Sequence, residues 1–396
     1  MLQLSFVNYK QGSYLTVEGK VADRFFIIQV GKVRCERQGA VSGTGVDILG
    51  PGDFVGVVSC MAGMSQIENS IALSDVVAIA VRREQYPDLI KQNTPIAMKM
   101  IRTFASRMRG VNEMLMHRTA AAAAVADANP NTLFSVGAFY DHQKKTDIAA
   151  FAYYQFLKKG VKNQNTEIAK RRFIELRKTT KAVYFEPTAD MTRRYPEDTM
   201  VFCENQSGAE MFIIQSGQVK IGKVVDGKEV TFAILKKGDM FGEMALLENK
   251  PRSASAIANE DCVLMVVNSK NFNQMVTTQP QMISRLTTTL AERLWSMSRQ
   301  LINTKISDPI QQMLDMLALQ VEKAKLPPTF MRDYRIGLTA QDLADMCGFP
   351  DEVKMRYVYE FKKDSHIKID PNTQKLIVVD CAELMKHAAF SRSKLR

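Results

Sequence analysis

The chain repeats itself at an offset of 186 positions (212 − 26). Phe26-Ile27-Ile28-Gln29-Val30-Gly31-Lys32-Val33 aligns without a gap with Phe212-Ile213-Ile214-Gln215-Ser216-Gly217-Gln218-Val219. The same offset pairs Gly52-Asp53 with Gly238-Asp239, Gly56 with Gly242, Ile71-Ala72 with Ile257-Ala258, and Ala105 and Arg107 with Ala291 and Arg293. A match of that extent covers a whole domain and the helix after it, so the chain is expected to hold two copies of one fold.

The second copy shows what that fold is. Met211 to Ile221 is a β-rich run with a central glycine, Asp226-Gly227 is a hairpin turn signal between two strand-like runs, and Lys237-Gly238-Asp239 marks another turn. Ala256-Ile257-Ala258 and Cys262 to Val267 add two short strands. Short strands at this spacing predict a small antiparallel β-roll. Each roll is followed by a helical pattern: Pro95 to about His117 through Ile101, Phe104, Ala105, Met108, Val111 and Leu115, and Gln281 to about Asn303 through Ile283, Leu286, Leu290, Leu294, Met297 and Leu301.

Chemistry concentrates in Phe241-Gly242-Glu243-Met244-Ala245-Leu246-Leu247 and the Pro251-Arg252-Ser253-Ala254-Ser255-Ala256 that follows. Gly242 lacks a Cβ and lets backbone approach a ligand, and the apolar run after it, with Ala245 and Leu246, reads as a helical turn whose free N–H groups face an anion. Arg252 supplies a guanidinium for charge-assisted hydrogen bonds, Glu243 is an acceptor for a hydroxyl, and Ser253 adds a hydroxyl donor. The order of residues resembles the phosphate-binding cassette of cyclic-nucleotide-binding domains. The resemblance implies that Arg252 meets the cyclic phosphate and Glu243 the ribose 2′-hydroxyl of cAMP or cGMP. Ser253 does not choose between the two bases, and no other cofactor is expected.

At the repeat offset the first copy departs from this pattern. Glu243 corresponds to Val57, Pro251 to Ser65 and Arg252 to Gln66. Each lost charged hydrogen bond forfeits about 1.5–3 kcal/mol, roughly a 10- to 150-fold loss of affinity, so the first roll is expected to be blind to a cyclic nucleotide.

The remaining segments are mainly helical. Between the rolls, Ala120 to Asn131 reads as a frayed helix end and linker. Leu133, Gly137, Tyr140, Ala149 and Tyr153 then fall where a tetratricopeptide repeat has its packing residues, with Ile168 to about Lys178 as a third helix. Phe156 stands where that repeat has a small residue, and a connector packed against the second roll is the preferred reading. After the second long helix, Leu338 to Gly348 reads as a helix and tight glycine turn, and Asp351 to about Lys363 as a second helix. His366-Ile367-Lys368-Ile369 and Lys375 to Val379 flank the turn Asp370-Pro371-Asn372-Thr373. This segment resembles the winged helix-turn-helix module of the catabolite-activator and fumarate–nitrate-regulator transcription factors. That resemblance implies contact with double-stranded DNA through Glu352 and Arg356, although Asp351 replaces the first arginine of the family pattern, and Lys354 is a further DNA-contact candidate on a local basic face. From Lys305 onward fifteen Lys and Arg oppose thirteen Asp and Glu, so the net charge of +11 is carried elsewhere. In the same family the helix after the roll pairs two subunits and lies over the base. Here Thr288 and Trp295 are the candidates for capping the base, with a core or interface role preferred for Trp295. The two long helices could pair with each other as a pseudo-dimer or each with a second chain as a homodimer.

Bulk features agree with a multi-domain regulator. The cysteines at 35, 60, 203, 262, 347 and 381 have no Cys-x-x-Cys spacing and do not cluster with the histidines at 117, 142, 366 and 387, so neither zinc nor a disulfide framework is indicated. No nucleophile–base pair or Walker-type loop supports an enzyme. No apolar run long enough to span a bilayer is present, and a cytoplasmic protein is expected. The expected architecture is α+β. It comprises a degenerate β-roll (jelly-roll type) with its helix over 1–119, a tetratricopeptide-like helical connector over 120–182, a ligand-binding β-roll with its helix over 183–304, and a winged-helix module over 305–396. The expected function is a cyclic-nucleotide receptor regulating transcription. The alternatives are a receptor acting through protein partners, with the helical insert as a docking surface, and a ligand-blind scaffold.

Overall fold

The structure is a computed structural model that describes residues 4–37, 46–116, 129, 131–181, 184–225, 227–243, 251–327 and 331–395. It divides into two units. The first comprises Met1–Asn93, Arg107–Leu115 and Thr287–Arg396, and the second Thr94–Ser106 and Met116–Leu286.

The first unit opens with eight strands: β1 (Ser5–Tyr9), β2 (Tyr14–Thr16), β3 (Arg24–Val30), β4 (Val33–Arg37), β5 (Val46–Leu49), β6 (Phe54–Val55), β7 (Glu68–Ala72) and β8 (Val76–Arg82). They form two antiparallel sheets in the orders β1-β8-β3-β6 and β2-β7-β4-β5. Strand β8 alternates buried and partly buried residues, the period of two that a sheet with one apolar face requires. The two sheets close on Leu15, Phe26, Ile28, Val33, Val55, Val76 and Ala78. Helix α1 (Val57–Ala62) lies between β6 and β7, entered through Gly56 at φ +69°. Helices α2 (Tyr86–Gln92) and α3 (Thr94–Met116) follow the roll.

The second unit holds three helices, α4 (Thr132–His142), α5 (Thr146–Lys158) and α6 (Gln164–Leu176), and then a second roll. A Cβ on Gly137 would lie 2.8 Å from the Tyr153 ring, so the missing side chain is what lets α4 and α5 approach. Leu133, Tyr140, Ala149, Tyr153 and Phe156 share one core with Met200, Cys203 and Ile257 of the roll, so the connector packs on the second roll as expected. The roll strands are β9 (Thr192–Tyr195), β10 (Met200–Phe202), β11 (Glu210–Ser216), β12 (Val219–Val225), β13 (Lys228–Leu235), β14 (Met240–Phe241), β15 (Ser255–Ala258) and β16 (Cys262–Asn268). Their sheets, β14-β11-β16-β9 and β10-β15-β12-β13, repeat those of the first roll. Register repeats as well. Phe26 faces Val55 and Ala80 while Phe212 faces Phe241 and Val266, and Val33 faces Ala72 and Leu49 while Val219 faces Ala258 and Leu235. Helices α7 (Ser269–Thr278) and α8 (Pro280–Asn303) complete the series.

From Thr287 the chain returns to the first unit. The Tyr86 and Thr287 hydroxyls, both buried, share a hydrogen bond of 3.0 Å, and Lys325 Nζ donates to the Ala62 carbonyl and to Glu292. Helix α9 (Pro309–Ala324) starts on Asp308, whose carboxylate accepts from Gln311 N, with Pro309 in the first turn. After strand β17 (Arg332–Thr339), helix α10 (Ala340–Cys347) has a reciprocal cap between Thr339 and Asp342 and ends on Gly348 at φ +73°. Helix α11 (Asp351–Phe361) follows. Strands β18 (Ile367–Ile369) and β19 (Lys375–Asp380) pair around a turn in which Asp370 accepts from Asn372 N and Thr373 N. With β17 they form a sheet in the order β17-β19-β18, and helix α12 (Cys381–Ser393) closes the chain. Among the described residues no helix is long and apolar enough to cross a membrane, and no cluster of three metal-ligating side chains occurs.

Candidate functional site

The second roll places Arg252 at the start of the segment leading into β15, where its side chain is 6% exposed. Its backbone is held on both sides, with Arg252 N donating to the Gln206 carbonyl at 2.9 Å and Asn205 N to the Arg252 carbonyl at 2.8 Å. Nη1 donates to the Gly242 carbonyl at 2.7 Å and Nη2 to the Glu210 carbonyl at 2.6 Å. The guanidinium carbon lies 4.1 Å from the centroid of the Phe202 ring, within cation–π range. Nε is buried with no hydrogen-bond partner among the described residues. Desolvation pushes this group down to about 10, so at neutral pH it remains a buried cation with donor capacity left over.

Gly242 is in the left-handed region at φ +79°. A Cβ there would sit 2.7 Å from Arg252 Nη1 and 3.1 Å from Phe202, and one on Gly208 would sit 2.8 Å from Arg252 Nε and Nη2. Two glycines therefore leave the room that the guanidinium fills. Glu243, beside Gly242, is buried, and its charge favours the protonated form of Arg252. Ser253 follows Arg252 on the surface. Ala245 and Leu246 lie outside the described residues. A buried cation with spare donor capacity next to a left-handed glycine can attract a small anion.

Sequence reasoning did not find the support around Arg252. Glu210 sends its carbonyl to Arg252 while its carboxylate is taken by Arg193 through Nη1 at 2.8 Å and Nη2 at 2.7 Å. The available signal was a carboxylate at the head of the apolar run Met211–Ile214, where burial demands a partner.

The equivalent positions of the first roll carry no such cation. Gln66 lies beside Gly56, where a Cβ would come 2.9 Å from its Nε2, and its Oε1 is buried without a partner. A half-buried ion pair in that region joins Arg107 to Glu68 at 3.0 Å. Of the base-capping candidates, both in the first unit, Thr288 is half-buried, and Trp295 is buried with its indole N–H donating to the Ser65 carbonyl at 2.9 Å.

On α11 the three DNA-contact candidates differ. Glu352 and Arg356 are exposed, with the Arg356 guanidinium 5.4 Å from the Tyr357 ring centroid. Lys354 is turned toward α10, with Nζ 2.7 Å from Asp345 Oδ1.

Comparison with known proteins gives a cyclic nucleotide-binding domain at residues 6–93 and again at 192–279. The chain is 26% identical over 205 residues to the cyclic AMP receptor protein of Thermus thermophilus, covering 50% of this chain and 88% of that protein. It is 31% identical over 195 residues to the anaerobic regulatory protein of Bacillus subtilis, covering 45% of this chain and 76% of that protein. It is 28% identical over 178 residues to the cAMP-activated global transcriptional regulator CRP of Pasteurella multocida, covering 44% of this chain and 83% of that protein.

Proposed function

Since the chain belongs to the catabolite-activator and fumarate–nitrate-regulator family, with two tandem cyclic-nucleotide-binding domains, we propose that it is a cAMP receptor that regulates transcription, with its second roll as the receptor. The observation that carries the reading is Arg252, a buried guanidinium beside left-handed Gly242 whose Nε has no partner among the described residues. The cyclic phosphate would meet Arg252, and the ribose 2′-hydroxyl would meet Glu243. The names of two relatives point to cAMP rather than cGMP. The first roll, with Val57 and Gln66 at the equivalent positions, serves as a structural partner and binds no nucleotide.

The output would be the module of α9 to α12. Two packed helices joined at Gly348, then a hairpin of β18 and β19, support the winged helix-turn-helix reading. The exposed Arg356 would meet base edges. In the first unit, the C-terminal half of α8 is tied to this module through buried polar contacts. Asn303 donates to the Gln312 carbonyl at 2.8 Å and to Asp315 at 3.0 Å, and Arg299 pairs with Asp315 and Glu322 at 3.4 Å. Ligand that favours one arrangement of α8 would therefore favour one arrangement of the module. The seating of Gly137 on Tyr153 supports the tetratricopeptide-like reading of α4 and α5.

A second reading rests on a specific observation. Met355 is 66% exposed and Tyr359 63% exposed, one helical turn apart on α11, an apolar pair that suits a protein partner. Retention on duplex DNA separates the two. The transcriptional reading expects retention that is gained with cAMP and falls with salt. Absence of cAMP-dependent retention, with cAMP still bound, favours the protein partner.

A further inference from the structure

The short segment Tyr184–Pro187 joins the helical insert to the second roll, and both of its ends are held. On the insert side, Tyr154 donates from its hydroxyl to Glu186 Oε1 at 2.5 Å, Lys158 pairs with the other carboxylate oxygen, and Gln155 Nε2 donates to the Phe185 carbonyl at 2.8 Å. The Phe185 ring stacks on Phe151 at 6.1 Å and meets Tyr154 at 5.2 Å and Phe173 at 5.7 Å edge-on. On the roll side, Thr188 accepts from Arg193 through its carbonyl at 2.8 Å and its hydroxyl at 3.2 Å. Arg193 clamps the Glu210 carboxylate, and the Glu210 carbonyl receives Arg252 Nη2. Joined through the backbone from Glu186 to Thr188, these contacts link α5 to the guanidinium. Tyr184–Pro187 and Arg252 line a common cavity of about 40 Å³, water-sized space.

We propose that Tyr184–Pro187 is a latch through which α5 positions Arg252 for its anion, so that the helical insert and nucleotide occupancy of the second roll are coupled. This rests on the cAMP reading of that site and adds its regulation. A buried guanidinium spends two N–H groups on neutral carbonyls here, and those two contacts orient the remaining donors. One carbonyl, that of Glu210, is fixed only as well as Arg193 and Thr188 fix it. Binding that tightens Arg252 therefore tightens the latch, and by reciprocity a partner or modification that pulls Glu186 off α5 weakens nucleotide binding. Arg193, Glu186 and Tyr154 are positioning residues, and none needs to touch the ligand.

The test uses the full chain with Tyr154→Phe, which keeps the ring packing, and Glu186→Ala, with Glu175→Ala as a control on the same insert outside the series. In the ligand-free protein, hydrogen exchange at the Asn205 and Arg252 amides is expected to speed up several-fold in both latch variants and to stay unchanged in the control. Calorimetric affinity for cAMP is expected to drop about 3- to 10-fold, and this drop is expected to vanish when the latch changes are made on Arg252→Lys. Unchanged exchange at those two amides, or cAMP affinity within twofold, overturns the proposal. Tighter binding also overturns it, because the segment would then act as a lid. A wild-type chain that binds no cAMP refutes the nucleotide reading, while the exchange comparison still decides whether α5 controls Arg252.

Discussion

The indole N–H of Trp295 donates to the carbonyl of Ser65 at 2.9 Å across 230 positions of sequence. Ser65 precedes Gln66, and the pair stands where the second roll has Pro251 and Arg252. The segment of the first roll that corresponds to the phosphate site is thus hydrogen-bonded to α8. Trp295→Phe keeps most of the packing and removes a hydrogen bond to the half-buried Ser65, which costs about 0.5–1.5 kcal/mol. We expect a lower Tm for the first unit. The chain holds a single tryptophan, so wild-type fluorescence should be blue-shifted and protected from acrylamide; a red-shifted, readily quenched emission contradicts the contact.

Gly242→Ala and Gly56→Ala form a matched pair, since both glycines have positive φ, at +79° and +69°. Alanine at either site adds backbone strain and a close contact, so each should destabilise its own roll by about 1 kcal/mol or more. Only at Gly242 is Arg252 the neighbour that must give way. We expect at least a tenfold loss of cAMP affinity for Gly242→Ala and none for Gly56→Ala, measured by calorimetry.

The insert should carry an acid-sensitive contact. Hydrogen bonds from Arg172, with Nη2 2.6 Å from Asp141 Oδ1, hold the Asp141 carboxyl below its usual value of 3.8. A carboxyl with a lowered native pKa adds stability above the unfolded value, and loses it as pH falls through the native one. Unfolding of the second unit followed from pH 6 to pH 2 should therefore lose stability below about pH 4, and Asp141→Asn should flatten that limb. A limb of unchanged steepness in the variant shows that other groups carry it.

Lys354 and Arg356 should separate stability from DNA contact. Lys354→Ala removes the 2.7 Å pair with Asp345 between α10 and α11 and should cost about 0.2–1 kcal/mol. Arg356 is exposed, so Arg356→Ala should leave the Tm unchanged and lower cAMP-dependent DNA retention about tenfold. Equal retention by Arg356→Ala and wild type removes Arg356 from the interface.

The rolls were legible because the same strand and turn pattern is written twice in the chain. Every pairing of Phe26 and Val33 recurs at Phe212 and Val219, and the turns at Gly31 and Gly217 share positive φ. The helix pair around Gly348 and the hairpin of β18 and β19 were legible from turn chemistry. Strand β17 was not, because Arg332–Thr339 carries little apolar alternation and is made by pairing with β19. Arg252 announced itself by motif, whereas Arg193, Glu210 and Phe202 did not, since their roles depend on contacts 17 to 50 positions away that leave no periodic trace. The same holds for Trp295 on Ser65.

One roll should bind a cyclic nucleotide and the other should not. Calorimetric titration of the full chain with cAMP, beside Arg252→Ala and Gln66→Ala, reads both at once. One saturable site per chain is expected, weakened at least tenfold by Arg252→Ala and untouched by Gln66→Ala. Two sites per chain, or a site that survives Arg252→Ala and is lost with Gln66→Ala, would contradict it.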